Sequence, residues 1–302
     1  MTAKNETYFM QALGLLVTVT IGCGTAFAAN SAAENSAAIN SATGNSQTDS
    51  YVAPRGPGGK PDLNGVWQVL NRANYNIEAH AASASLALVD GDLGPVPAPP
   101  IVALGSVGSV PGGAGVVVEG TIPYTKEALA EKNDNQKNWL ELDPEIKCYL
   151  PGIPRANYMP YPFQIAQSEQ ALLFSYEFAG AARNIYLEDP GEAPIDSWMG
   201  QSFGYWEGDT LVIEVTGQND QTWFDRAGNH HSEQLKVVER YTPSGPGTLT
   251  YEVQIEDPAT FTAPWNMSMT LYKRIGKDAE LQQFKCVEFV EELFYGKLRK
   301  ES

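Results

Sequence analysis

From residue 163 to residue 273 the chain repeats one pattern, a short run of alternating apolar and polar side chains closed by a tight turn. In 210–216, Leu211, Ile213 and Val215 share one parity and Val212 and Glu214 the other. In 248–256, Leu249, Tyr251, Val253 and Ile255 oppose Thr250, Glu252, Gln254 and Glu256, and in 171–178 Leu172, Phe174, Tyr176 and Phe178 oppose Leu173, Ser175 and Glu177. A period of two is that of a β-strand, whose successive side chains point to opposite faces. Turns such as Ser168-Glu169-Gln170, Glu207-Gly208-Asp209, 244–247 and 276–278 are too short for anything but antiparallel hairpins. Strand-like runs fall at 65–70, 163–167, 171–178, 183–188, 201–206, 210–216, 234–242, 248–256, 267–273 and 281–287. So many consecutive strands leave no exposed edge only if the sheet closes. The sequence therefore predicts an all-β fold, an antiparallel up-and-down β-barrel, with a two-sheet sandwich as the alternative.

Two stretches break the pattern. Thr125 can cap a helix running from Lys126 to Trp139, with Glu127 in its first turn. Residues 79–120 are low in complexity, Ala, Gly, Pro and Val with few large side chains, and read as a long loop or flap. The barrel domain is expected over 61–302, as one domain.

The N-terminus reads as a secretory leader over 1–28: Lys4, an apolar run from Ala12 to Ile21, then Ala26-Phe27-Ala28 as the cleavage site. That run is shorter than the ~20 residues a membrane span needs, and no later segment is long and apolar enough for one. Cys23 leaves lipoprotein anchoring as an alternative, although Thr20-Ile21-Gly22 makes a poor lipobox. Residues 29–60, rich in Ala, Asn and Ser and then in Gly and Pro, are expected to be a disordered tether. The protein is thus expected in the periplasm or outside the cell. Two cysteines then remain, Cys148 and Cys286, and an even pair in an oxidising compartment is a disulfide candidate.

A formal charge of −16 argues against nucleic acid, whose binding depends on Lys and Arg neutralising phosphates. It is compatible with a small neutral, cationic or apolar ligand. No glycine-rich nucleotide loop and no G-x-S-x-G occurs, and no cofactor is expected. His230-His231-Ser232-Glu233 has neither the HExxH nor the spaced-histidine pattern of a metal site, and none is expected there.

The tripeptide Gly65-Val66-Trp67 resembles the entry to a lipocalin barrel. The longer blocks CYLPGIPRANYMPYPFQI, SWMGQSFGYWEGDTLVIEV, WFDRAGNHHSEQLKVVERY and YEVQIEDPATFTAPW are similar to a large group of exported, mostly uncharacterised bacterial proteins of lipocalin-like fold. The resemblance runs roughly from Pro61 to Tyr295 and is weakest across 79–120. It implies a barrel and export, and carries no reaction.

Candidate chemistry gathers between Asp196 and Tyr241. Histidine titrates near neutrality and can move a proton. Adjacent His230 and His231 point to opposite faces if they lie on a strand, and His231 is the one expected inward. Asp225 or Asp220 could orient it as the third member of a relay. Glu177 and Arg183 stand on neighbouring strands across the turn FAGAAR; facing inward they would form a buried ion pair able to orient a polar ligand group. Trp198, Trp223 and Tyr161 fall at strand ends, where aromatic walls would suit an apolar or aromatic ligand. Three functions follow as expectations. One is an exported enzyme running cofactor-free acid–base chemistry (lyase, isomerase or hydrolase) on a small hydrophobic or aromatic molecule. The second is a periplasmic carrier for such a molecule, and the third is a structural or partner-binding barrel with a filled core. The sequence leaves the oligomeric state open.

Overall fold

The computed structural model describes residues 51–84, 88–97, 109–277, 279–284 and 286. The expected leader over 1–28 and most of the expected tether lie outside them. Nine strands form a closed barrel: β1 Gly65–Val69, β2 Phe163–Gln167, β3 Ala171–Tyr176, β4 Ala182–Tyr186, β5 Gln201–Glu207, β6 Thr210–Thr216, β7 Lys236–Gly245, β8 Thr248–Glu256 and β9 Trp265–Lys273. Each strand pairs with its neighbours in sequence, and β1 closes the ring against β9. The expected all-β barrel is thus the fold. The expected tenth strand is not formed: residues 281–284 and 286 belong to no strand.

Nine is odd, and an odd ring cannot alternate in direction all the way round. One neighbouring pair must be parallel, and it is β4 with β5, joined through Ile185↔Ser202 and Tyr186↔Phe203. This departs from a pure up-and-down meander. A parallel connection has to travel back along the wall, and residues 187–200 do so. Gly200, at φ 65°, ends this crossover in a conformation that favours glycine. A Cβ there would stand 2.7 Å from the Thr216 carbonyl oxygen.

The barrel is filled. Leu172, Phe174, Ile185, Leu211, Ile213, Val237, Val253, Ile255, Met267 and Leu271 all point inward and are almost wholly buried, each contributing about 1.5–3 kcal/mol relative to exposure. One end carries only tight turns. The other carries the long excursion between β1 and β2, the turn after β3, the loop from β6 to β7 and the loop from β8 to β9. At that end residues 151–159, all buried, cork the mouth. Gln218 grips the cork by both backbone groups of Ile153, at 2.7 and 2.8 Å, and the Tyr158 hydroxyl donates to the Phe224 carbonyl at 2.9 Å.

The expected helix is α1, Lys126–Lys137, with the Thr125 hydroxyl accepting from the Ala128 amide. A second short turn of helix, α2, covers Trp139–Leu142. Within the expected flap, Ser83–Ala84 pairs with Ser109–Val110 and Leu88–Gly91 with Gly94–Pro97. Its far end folds onto the barrel, the Ser268 amide donating to Val116 and the Val118 amide to Asn266. Residues 51–60, expected in the tether, also lie on the barrel: Arg55 forks onto Asp209 and Ala53 is buried.

Cys148 and Cys286 form the expected disulfide, Cα atoms 5.5 Å apart. It fastens a C-terminal strap whose Phe284 ring stacks 5.4 Å from Phe178 and 4.7 Å from Tyr161. No helix among the described residues is long and apolar enough to cross a membrane.

Candidate functional site

Among the described residues, the barrel interior holds a polar island. Glu239 shares the inward parity of β7 with Val237 and Tyr241, and meets Arg183 of β4 in an ion pair whose side chains are 0% and 1% exposed. The second Glu239 oxygen accepts from Asn157 Nδ2 at 2.8 Å, Tyr241 OH at 2.9 Å and Tyr251 OH at 2.7 Å. Tyr176 OH donates to Asn157 Oδ1 at 3.0 Å. Four donors, from Arg183, Asn157, Tyr241 and Tyr251, converge on the carboxylate, the arrangement a buried charge needs. Burial, then the Glu239 charge, pushes the Tyr241 and Tyr251 phenols far up, and burial does the same to Tyr176. They remain neutral donors at physiological pH. Burial works against the Arg183 charge, but Glu239 and the tyrosines outweigh it and keep the guanidinium protonated.

Arg183 looks two ways. Its Nη2 holds Glu239, while its Nε donates to Ser202 Oγ at 2.7 Å, across the parallel seam. Its Nη1 is buried without a protein partner. The seam pairs over so few residues that β4 and β5 separate, and a cleft of about 330 Å³ lies between them and the crossover. Outward-facing Asn184 and Tyr186 line it together with Arg183 and Ser202, whose side chains face inward. Its base is buried and polar; its rim holds Ile195, 77% exposed, and Tyr186, 47% exposed. No acidic residue lines it, although the chain has 36 acids to 20 Lys and Arg.

A second buried cluster stands under the corked mouth. Glu145 takes a fork from Arg226 at 2.8 and 2.7 Å and a third bond from Arg155 at 2.7 Å. Burial pushes the Glu145 carboxyl up, but the two arginines outweigh it and hold it at about 2, whereas burial raises Asp143 beside it. A cleft of about 350 Å³ opens nearby, bordered by Asn74, Tyr75, Tyr158 and Tyr161.

The expected relay is not assembled. His231 is buried, its Nδ1 on the Ser232 carbonyl at 2.9 Å and its Nε2 on Thr222 Oγ1 at 2.6 Å. A carbonyl only accepts, so Nδ1 carries the proton and Nε2 accepts from the threonine. Burial lowers the His231 pKa and keeps the ring neutral. Asp225 is occupied elsewhere, accepting from the amides of Ala227, Asn229 and Ile77 and from Asn229 Nδ2. Burial pushes it up to about 6, yet its four donors leave a carboxyl proton no acceptor. Asp220 is exposed on the loop. His230 stacks on Tyr124 and places Nε2 3.5 Å from Glu131.

Of the expected ion pair, Arg183 is inward but its partner is Glu239. Strand β3 ends at Tyr176, and the half-buried Glu177 accepts from the Gln282 amide at 2.8 Å instead. Trp223 is buried beside His230, with which it forms an isolated bridge. Trp198 packs on Tyr149 at 4.6 Å, and Tyr161 borders the mouth cleft. Glu239, Asn157, Ser202 and the three tyrosines escaped the sequence reading. The available signal was Glu239 itself, a carboxylate on the apolar parity of Lys236–Gly245.

No family model, curated protein or solved structure matches the chain. Its function is therefore argued from this geometry.

Proposed function

We propose that the protein is an exported β-barrel that binds a small, largely apolar molecule in the seam cleft, with Arg183 as its polar anchor. The observation that carries this is the Arg183 guanidinium. It is fixed by Glu239 and Ser202, fully buried and left with one nitrogen unpaired, and its residue lines a cleft free of acidic residues. Buried polar groups are nearly always satisfied, and an exception calls for an explanation; a ligand oxygen supplies one. Binding fits better than acid–base catalysis at His231, because both of its nitrogens are engaged by Thr222 and Ser232 and neither meets a carboxylate. Export is supported by the leader-like N-terminus and is compatible with the disulfide.

Native mass spectrometry of the mature protein, purified from its own periplasm, tests the proposal. A co-purifying organic molecule is expected in the wild type and not in Arg183→Met. A wild-type protein that is empty, and whose melting temperature no periplasmic extract raises, refutes it.

A further inference from the structure

Resting on that binding reading, we infer that the seam cleft takes a short peptide in extended conformation, bound through its main chain along an open edge of β4. The edge follows from the strand register. The Tyr176 amide donates to the Ala181 carbonyl at 2.8 Å, and the ladder continues as Ser175↔Ala182, Phe174↔Arg183, Leu173↔Asn184, Leu172↔Ile185 and Ala171↔Tyr186. Antiparallel pairs alternate between hydrogen-bonded and non-hydrogen-bonded. With Tyr176 and Ala181 bonded, Arg183 and Ile185 turn their amides and carbonyls to β3, whereas Ala182, Asn184 and Tyr186 turn theirs to the seam. The two seam pairs, Ile185↔Ser202 and Tyr186↔Phe203, engage the Asn184 carbonyl and both groups of Tyr186. The amide and carbonyl of Ala182 and the amide of Asn184 are left over, and no other bond among the described residues takes them.

A closed barrel ordinarily abolishes such edges. Here the splayed seam reopens one beside the cleft, for Ala182 and Asn184 both line it and both are exposed. The edge is also undefended. Exposed edges are usually blocked by lysine, proline or an inward-pointing charge, and the outward side chains of β4 are Ala182, Asn184 and Tyr186. Along it the free groups run donor, acceptor, donor over about 7 Å, two residue steps of a strand. An extended peptide presents acceptor, donor and acceptor at the same repeat, which is how a strand adds to an edge. The walls set its side chains. A volume of about 330 Å³, bounded by Ala193, Pro194, Ile195 and Met199, suits small, uncharged residues. The crossover beside it carries Glu188, Asp189, Glu192 and Asp196, all exposed, and these repel an acidic peptide.

Titration of the isotope-labelled mature protein with the capped peptide acetyl-Ala-Val-Ala-Ser-amide, read from backbone amide NMR signals, tests this. The Ala182 and Asn184 amides are expected to shift together and to saturate. The fully N-methylated peptide keeps its carbonyls but loses its main-chain donors, and should bind about tenfold more weakly, the ratio one hydrogen bond produces. Ala182→Pro removes the seam-facing amide and leaves the β3 ladder intact, because Ala181 already has the extended backbone, ψ 144°, that precedes a proline. It should weaken the parent peptide about tenfold at an unchanged melting temperature. Should that variant not fold, the N-methylated peptide decides alone. Equal affinity for the two peptides, or shifts confined to other residues, overturns the inference. Binding of 2-ethylnaphthalene at Tyr186 and Ile195, with no binding of peptide, overturns the peptide class and leaves the binding proposal standing. Concentration-dependent shifts of the Ala182 and Asn184 amides without any peptide assign the edge to a second copy of the chain, and overturn it too. If neither probe binds, the inference falls, and the co-purification experiment above decides the proposal beneath it.

Discussion

The Arg183–Glu239 pair makes the most exacting prediction, because its two halves should be far worse alone than absent together. Both side chains are essentially unexposed. Removing one partner of a buried pair costs about 3–5 kcal/mol, while replacing both by groups of similar shape is often nearly neutral. Arg183→Met leaves the Glu239 carboxylate with three donors, Asn157, Tyr241 and Tyr251, so its cost belongs near 3 kcal/mol. Glu239→Gln leaves Arg183 with Ser202 and the face of the Phe174 ring, a poorer substitute for a charge, and its cost belongs near 5 kcal/mol. In the double variant the glutamine carbonyl still receives the tyrosines and no charge is buried. It should be more stable than either single variant by about 2 kcal/mol or more. Urea unfolding followed by tryptophan fluorescence reads all four proteins; for a domain of this size each single change lowers the melting temperature on the order of 10 °C. Costs that simply add, within about 0.5 kcal/mol, would refute the claim that the pair is one electrostatic unit.

Three further outcomes are expected. Glu145 has its folded pKa depressed to about 2 from 4.5, so the unfolded chain takes up the proton first as pH falls. Stability present above pH 4.5 is lost on the way down to about 2, by on the order of 3 kcal/mol less the opposing effect of Asp143. Unfolding curves at pH 5 and 2.5 should show this slope, and Glu145→Gln should flatten it. Reducing the Cys148–Cys286 bond, which spans 138 residues, removes up to about 5 kcal/mol by chain entropy. Because the strap can detach before the barrel opens, the measured loss should be smaller, and hydrogen exchange at the Gln282 amide, bound to Glu177, should rise first. His231→Ala breaks two buried hydrogen bonds and should cost about 1–3 kcal/mol while changing ligand affinity by no more than about twofold. A selective loss of binding or turnover in a fully folded His231→Ala protein would return the histidine to the site.

Where structure follows from neighbours in sequence, the chain was readable. Alternation in 210–216 and 248–256 gave the strands and their inward faces, the Thr125 cap gave α1, and two cysteines in an expected oxidising compartment gave the disulfide. What stayed hidden depends on partners distant in sequence. Arg183 could be singled out as a buried cation, but nothing local pairs it with Glu239, 56 residues away. The local candidate, Glu177, lies just past the end of β3, where alternation stops applying. The histidines stood out because imidazole is the usual proton carrier near pH 7. Their roles were set instead by Thr222 and the Ser232 carbonyl, groups that carry no signal of their own. The cork over 151–159 was invisible for a related reason, since a segment that fills a lumen needs no periodicity.

The position of the cleft follows from a counting constraint. A closed sheet with an even number of strands can be antiparallel throughout, and its wall then has no weak line. With nine strands one parallel junction is forced, and its crossover must run the height of the barrel outside the wall. In this chain the junction is held by very few pairs, so the strands part and the crossover roofs the gap. Side chains at that gap are inward by parity yet border a space outside the sheet, a position no fully paired strand can give them. Arg183 and Ser202 occupy it. In the binding reading proposed above, a group there is anchored by the core while its strand edge borders the cleft. The same residues placed elsewhere in the ring would be either sealed in the core or loose on the surface.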